Sequence, residues 1–258
     1  MNERRRAWFP GLARRVWPVV LAGAVVACSG SPAPTPSQVP RVYVPPFAEP
    51  VVRQWAEDYV SETGAALPFD LDPQTLDSAL ARVPVEPNSL LLFGAPPPED
   101  WFVTPLASIP VVILVHPDNP VLDLRPEDLQ NLFAHRTAVW SNVGGRDVDV
   151  QPVLPLVGEP LRAWFEGVVM RGTPVWPGTW LAPTPEAMAD LVASEPGAVG
   201  ILLGSEVPST VAVVRVLAIL PSDERYPYRL DLLAFAPQEP AGAVREWLGW
   251  VQARVTTR

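Results

Sequence analysis

The stretch IPVVILVHPDNPVLDLRPEDLQNLFAHRTAVWSNVGGRDVDVQPVL, Ile109–Leu154, decides the fold. It opens on a continuous apolar run, Ile109 to Val115, of the kind a strand buried on both faces requires. Pro126 then stands at a helix start, followed by Leu129, Leu132 and Phe133. Val150 to Leu154 reads as the next strand. Strand, helix and strand in this order predict an α/β fold with a mostly parallel sheet.

The flanks carry the same alternation. Arg41 to Val44 is a short strand ended by Pro45-Pro46. From Pro50 onward Val51, Val52, Trp55, Ala56, Tyr59 and Val60 recur at helical spacing until Gly64 stops the helix. Leu67 to Leu71 predicts a strand, Leu76 to Val83 a short helix, and Ser89 to Phe93 a buried strand. Downstream, Leu161, Trp164, Phe165, Val168 and Val169 stripe a helix opened by Pro160. Thr184-Pro185 reads as an N-cap followed by proline at N1. Strands are expected at Ala198 to Leu203, Val211 to Leu217 and Leu230 to Phe235. Val244, Trp247, Leu248 and Val251 stripe the last helix. The tryptophans on these stripes read as packing residues. Trp140, Trp176 and Trp180 fall in loop-like segments, where an aromatic either caps a core or walls a cleft.

Composition limits the function classes. The chain has 258 residues, 48% hydrophobic and 18% charged, enough to bury a core. One cysteine, Cys28, excludes a disulfide scaffold. The net charge of −9, from 28 acidic and 19 basic residues, argues against nucleic acid, which needs a basic face.

Residues 1–27 read as an export signal: Arg4, Arg5, Arg6, Arg14 and Arg15, then an apolar run from Val16 that is too short to span a bilayer. The run ends at Val25-Val26-Ala27-Cys28, which resembles a bacterial lipoprotein signal with Cys28 lipidated. A plain secretory signal or a transmembrane anchor are the other readings. Residues 28–40 then form a lipidated cysteine and a Pro/Ser tether (SGSPAPTPSQVP after Cys28) with no periodicity.

No catalytic constellation is visible. His116 and His135 lack a metal-spaced cluster, and no nucleophile motif or phosphate loop occurs. Asp70 and Asp72 stand at the end of an expected strand, where α/β ligand sites form, or else in a turn with Pro73. The chain therefore reads as a non-enzyme with no cofactor and no metal.

The run Ile109–Leu154 resembles the phosphate-binding proteins of ABC importers, within the type II periplasmic-binding-protein fold. The resemblance rests on Asn119-Pro120, Leu132-Phe133, Trp140 and Val143-Gly144-Gly145. It continues in SEPGAVGILL (Ser194 to Leu203), in Tyr226-Pro227 with YRLDLLAF, and in the terminal helix. It implies a two-lobed α/β architecture with mixed, mostly parallel sheets and flanking helices. Residues 41–112 with 214–258 would form lobe 1, and residues 113–213 lobe 2, with Phe93 and Ile201 in sheets of different lobes. A ligand would sit between the lobes.

The family's anion ligands are replaced at the matching positions. Its Ser-Gly-Thr at a helix N-terminus falls on Glu159, Pro160 and Leu161. Its arginine falls on Pro155, and its aspartate near Pro97 in FGAPPP (Phe93 to Pro98). The first loop is Pro45-Pro46-Phe47-Ala48. Prolines 97 and 160 have no N–H to donate. The resemblance thus implies ligand-cleft candidates Phe47, Ala48, Asp72, Ala95, Pro97, Trp140, Glu159, Leu161 and Arg162, and a site degenerate for phosphate. Glu159 is expected at a helix N-terminus, satisfying that end itself, with Arg162 available to pair with it.

The resulting expectation is a lipid-anchored solute-binding protein on the extracytoplasmic face of a cell membrane. Its partners would be an ABC permease, an unidentified small molecule and the membrane through its lipid, with no nucleic acid, and the chain would be a monomer. The alternative is a surface interaction or sensory domain of the same fold that transports nothing.

Overall fold

In the computed structural model the described residues are 39–204 and 207–256. The expected signal, Cys28 and the tether up to Gln38 lie outside them. Strand β1 (Arg41–Val44) pairs in parallel with β2 (Asp70–Pro73) and β3 (Leu90–Phe93). Between these strands run α1 (Glu49–Thr63) and α2 (Leu76–Arg82). Proline in the first turn and Gly64 at φ 69° frame α1, the Gly64 N–H closing on the Val60 carbonyl. All four side chains of β3 are fully buried. Each contributes about 1.5–3 kcal/mol by leaving water, which is why this run tolerates no polar residue.

The longest strand, β4 (Phe102–Val115), organises the molecule. From Phe102 to Pro110 it lies antiparallel to β10 (Arg229–Ala236), which also pairs with β3. From Val111 to Val115 it pairs instead with β8 (Ala198–Leu203), and from Ile113 with β9 (Ala212–Val216). Beyond these, β6 (Gln151–Pro155) is parallel to β8 and to β7 (Trp180–Ala182), and β5 (Asp123–Leu124) is parallel to β9. The second half also carries α3 (Pro126–Phe133), α4 (Pro160–Phe165, continued by a π turn over Glu166–Met170) and α5 (Pro185–Ser194). The terminal helix α6 (Gly242–Thr256) returns to α1, with Trp250 edge-on to Tyr59 at 5.4 Å; its Trp247 is edge-on to Phe69 at 4.7 Å.

Three expectations are corrected here. Phe93 and Ile201 lie in different ladders, yet β4 belongs to both, so one hydrogen-bonded path β2-β1-β3-β10-β4-β8-β6-β7 joins them. The strand expected at Leu67 to Leu71 forms at Asp70–Pro73, because only these residues reach the β1 ladder. Asp70 and Asp72 are therefore in an edge strand rather than a turn. Finally, β4 begins seven residues before Ile109; its first part is half-exposed and gains its partner only from β10, far along the chain.

Close packing explains one glycine in SEPGAVGILL. A Cβ on Gly197 would lie 1.8 Å from the Asp149 carbonyl oxygen, so no side chain fits there. The Gly197 carbonyl in turn accepts the indole N–H of Trp140 at 2.8 Å.

Candidate functional site

Parallel strands deliver their following loops to one sheet edge, the usual ligand edge of α/β folds. The loops after β1 (Pro45 to Ala48) and β3 (Gly94 to Pro98) leave adjacent strands in this way. The β1 loop is closed by the Ala48 N–H donating to the Pro45 carbonyl at 2.9 Å. Phe47 and Ala48 are buried, and Ala48 is the N-cap of α1 with no side-chain cap. Ala95 and Pro97 are half-buried, Ala95 against the small cluster that holds Tyr43, Phe93 and Phe235. Neither loop brings a charged side chain inward among the residues singled out from sequence.

The loop after β6 differs. Glu159 is the N-cap of α4 and is only 5% exposed. Among the described residues its Oε2 has no hydrogen-bond partner, and the side chain makes no capping bond. Burial pushes the carboxyl up to about 7, since desolvation disfavours the charged form. The expectations that Glu159 satisfies the helix end and that Arg162 pairs with it are both corrected. Arg162 turns away: its Nε donates to Glu166 at 2.8 Å and its Nη1 to the Pro155 carbonyl at 3.1 Å. One turn along the helix Glu166 is half-exposed, so the ion pair forms there without the cost of burying both charges. Leu161 is buried, and Trp164, half-buried, stands edge-on to Tyr228 at 5.9 Å, anchoring α4 to the segment that enters β10.

Two other candidates do not join this group. Asp72 is held by Arg41 at 3.0 Å and by the Gln74 amide at 2.9 Å, with Arg82 at 3.9 Å, so its charge is spent within its own sheet edge. Trp140 is fully buried and donates to Gly197, which makes it a core residue and not a cleft wall. Trp176 stacks flat on His135 at 3.9 Å, and Trp180 lies half-exposed on β7.

A cavity of about 620 Å³ lies beside α1 and was not anticipated from sequence. Val51, Trp55 and Asp58 of α1 line it, with Ser108 to Pro110 of β4, Leu203-Gly204, Pro221, Ser222, Glu224, Arg229 and Arg254. These residues come from distant parts of the chain, so no local motif marks them. Gly204 is close to α1 here: a Cβ on it would lie 3.2 Å from Val51 Cγ2.

No family model and no curated protein sequence matches this chain. Solved structures do. A protein described as a phosphate ABC transporter substrate-binding protein, with bound phosphate, from Clostridium perfringens is 16% identical, with a TM-score of 0.70 over 82% of this chain and 92% of that one. An ABC-type phosphate transport receptor from Vibrio cholerae is 17% identical, with a TM-score of 0.63 over 84% and 95%. The CcmR regulatory domain of Synechocystis PCC6803, in complex with 2-PG, is 13% identical, with a TM-score of 0.57 over 84% and 96%. Transport receptors and a regulatory domain thus share this architecture, and fold alone does not choose between them. The chain has the two-lobed type II periplasmic-binding-protein fold, a mixed α/β sheet structure with flanking helices.

Proposed function

We propose that this chain is a solute-binding protein, held on the extracytoplasmic face of a membrane by a lipid on Cys28 and serving an ABC permease, for a solute other than phosphate. Residues 41–112 with 214–258 form one lobe and residues 113–213 the other. They close by hinge motion where β4 exchanges partners between Pro110 and Val111. The fold and the phosphate-transport neighbours support the class.

The observation that carries the exclusion of phosphate is the buried, unpaired carboxyl of Glu159 at the start of α4. In the family that this sequence resembles, the helix start holds the anion with hydroxyls and backbone N–H groups. Here a carboxyl stands there, next to a proline that donates nothing. Its ionised form would repel a phosphate about 4 Å away by about 4 kcal/mol per unit charge at an effective dielectric near 20, or roughly three decades of affinity.

Melting curves of the chain at pH 8, with phosphate against chloride at matched ionic strength, test this reading. No phosphate-specific rise is expected. Micromolar binding would add about 4 kcal/mol at a thousandfold excess, and such a rise would restore phosphate as the solute. The anchor is tested separately: Cys28→Ala should change processing and release the chain from the membrane fraction, and unchanged fractionation would remove the lipid from the proposal.

A further inference from the structure

The 620 Å³ cavity beside α1 has the size of a small-molecule site. Its wall is mixed: the apolar side chains of Val51, Trp55, Ile109 and Leu203 stand among Gln54, Ser108 and the charged residues described next. Two arginines enter it in different states. Arg254 is fully engaged, paired with Asp58 at 2.9 Å and with Glu62, and lying over the Trp250 ring at 5.1 Å. Asp58 also accepts from the Gln54 amide at 2.9 Å, so its charge is answered on two sides.

Arg229, the first residue of β10, is in the opposite state. It is half-buried and has no carboxylate partner among the described residues. Its contacts are both with Ser108: Nη2 donates to the carbonyl and Nε to Oγ at 3.3 Å. These fix the plane of the guanidinium and leave further N–H donors unused. Ser108 belongs to the part of β4 nearest the partner exchange, so the guanidinium is held by a strand and not by a mobile loop. At the rim, Glu224 is exposed and makes no ion pair among the described residues.

We propose that this cavity binds a small monocarboxylate with an apolar body, its carboxylate on Arg229 and its body between Trp55 and Leu203. A guanidinium held flat and unanswered suits a carboxylate, which it meets with paired N–H donors. One unpaired cation selects one negative charge. Glu224 at the rim, which no cation answers among the described residues, repels a second charge, so a dicarboxylate or a phosphate dianion is disfavoured. The assignment shares with the solute-binding reading only the premise that the chain takes up a small molecule. The site and its residues are separate from Glu159.

Isothermal titration of the full chain in detergent micelles with sodium benzoate tests the proposal, with benzamide as the uncharged isostere and phthalate as the dianion. Benzoate should saturate one site, with benzamide and phthalate each weaker by roughly tenfold or more. Arg229→Gln should weaken benzoate by roughly tenfold or more while the melting curve stays cooperative. Glu224→Gln touches only the rim and should narrow the gap between benzoate and phthalate. Equal binding of benzoate and benzamide, no benzoate heat, or an unchanged phthalate gap in Glu224→Gln would each overturn the assignment. Such a failure would leave the exclusion of phosphate to its own melting test, so the two readings fail separately.

Discussion

Helices α5 and α4 begin alike, with a polar residue followed by proline: Thr184-Pro185 and Glu159-Pro160. Both N-caps have extended backbones, at φ −138°, ψ 163° and φ −70°, ψ 132°. At α5 the Thr184 hydroxyl accepts the Ala187 N–H at 3.2 Å, and the helix end is exposed to solvent. At α4 the Glu159 carboxyl is buried, makes no capping bond and keeps an unpartnered oxygen. The same local grammar therefore serves stability in one helix and leaves an unmet polar group in the other. What differs is what surrounds the helix start. Unmet buried polar groups cost free energy, so one that persists is a candidate for function.

The sharpest way to break this contrast is to remove the charge at α4. The Glu159 carboxyl sits at about 7 when folded against an ordinary value of 4.5. Between those pH values the folded chain binds more protons than the unfolded one, so stability falls as pH rises and levels off above about 7. At about 1.4 kcal/mol per pH unit, the loss across that window is on the order of 3 kcal/mol. Glu159→Gln should recover about that much at pH 8 and almost nothing near pH 4.5, read by urea unfolding at both values. Equal stability of variant and parent at pH 8 would mean that the carboxyl has found water or a partner.

A smaller effect tests how firmly α4 is seated. Trp164 is half-buried against Tyr228, so its truncation should cost about 2 kcal/mol, below the 3–5 kcal/mol typical of a fully buried tryptophan. A loss at the top of that range would show α4 to be enclosed on both sides. The smallest expected effect is at the ordinary helix start. Thr184→Ala should cost about 1 kcal/mol, with no pH dependence between 4.5 and 8. A pH-dependent loss there would erase the distinction between the two helices.

Much of the scaffold was legible in the chain because its signals are local. The apolar runs at Ile109 to Val115 and Ala198 to Leu203, the Pro126, Pro160 and Thr184-Pro185 helix starts and the Gly64 stop all fall where the structure has them. The N-cap position of Glu159 was legible for the same reason. Its lack of partners was not: Arg162 lies three residues away at a spacing that permits pairing, and only the packed structure turns it to Glu166 and Pro155. Trp140 sits in a loop-like segment yet is core, because a carbonyl 57 residues later takes its N–H.

Backbone periodicity, caps and turn chemistry act over a few residues, so the sequence by itself determined the α/β alternation and most element positions, the start of α4 at Pro160 among them. The tertiary structure alone decided which strand β2 became, that β4 serves two ladders, and that Arg229, Trp55 and Glu224 face one cavity. These depend on pairing and burial between residues far apart in the chain. Such contacts leave no periodic trace in any short stretch, because what stabilises them is surface removed from water by distant partners.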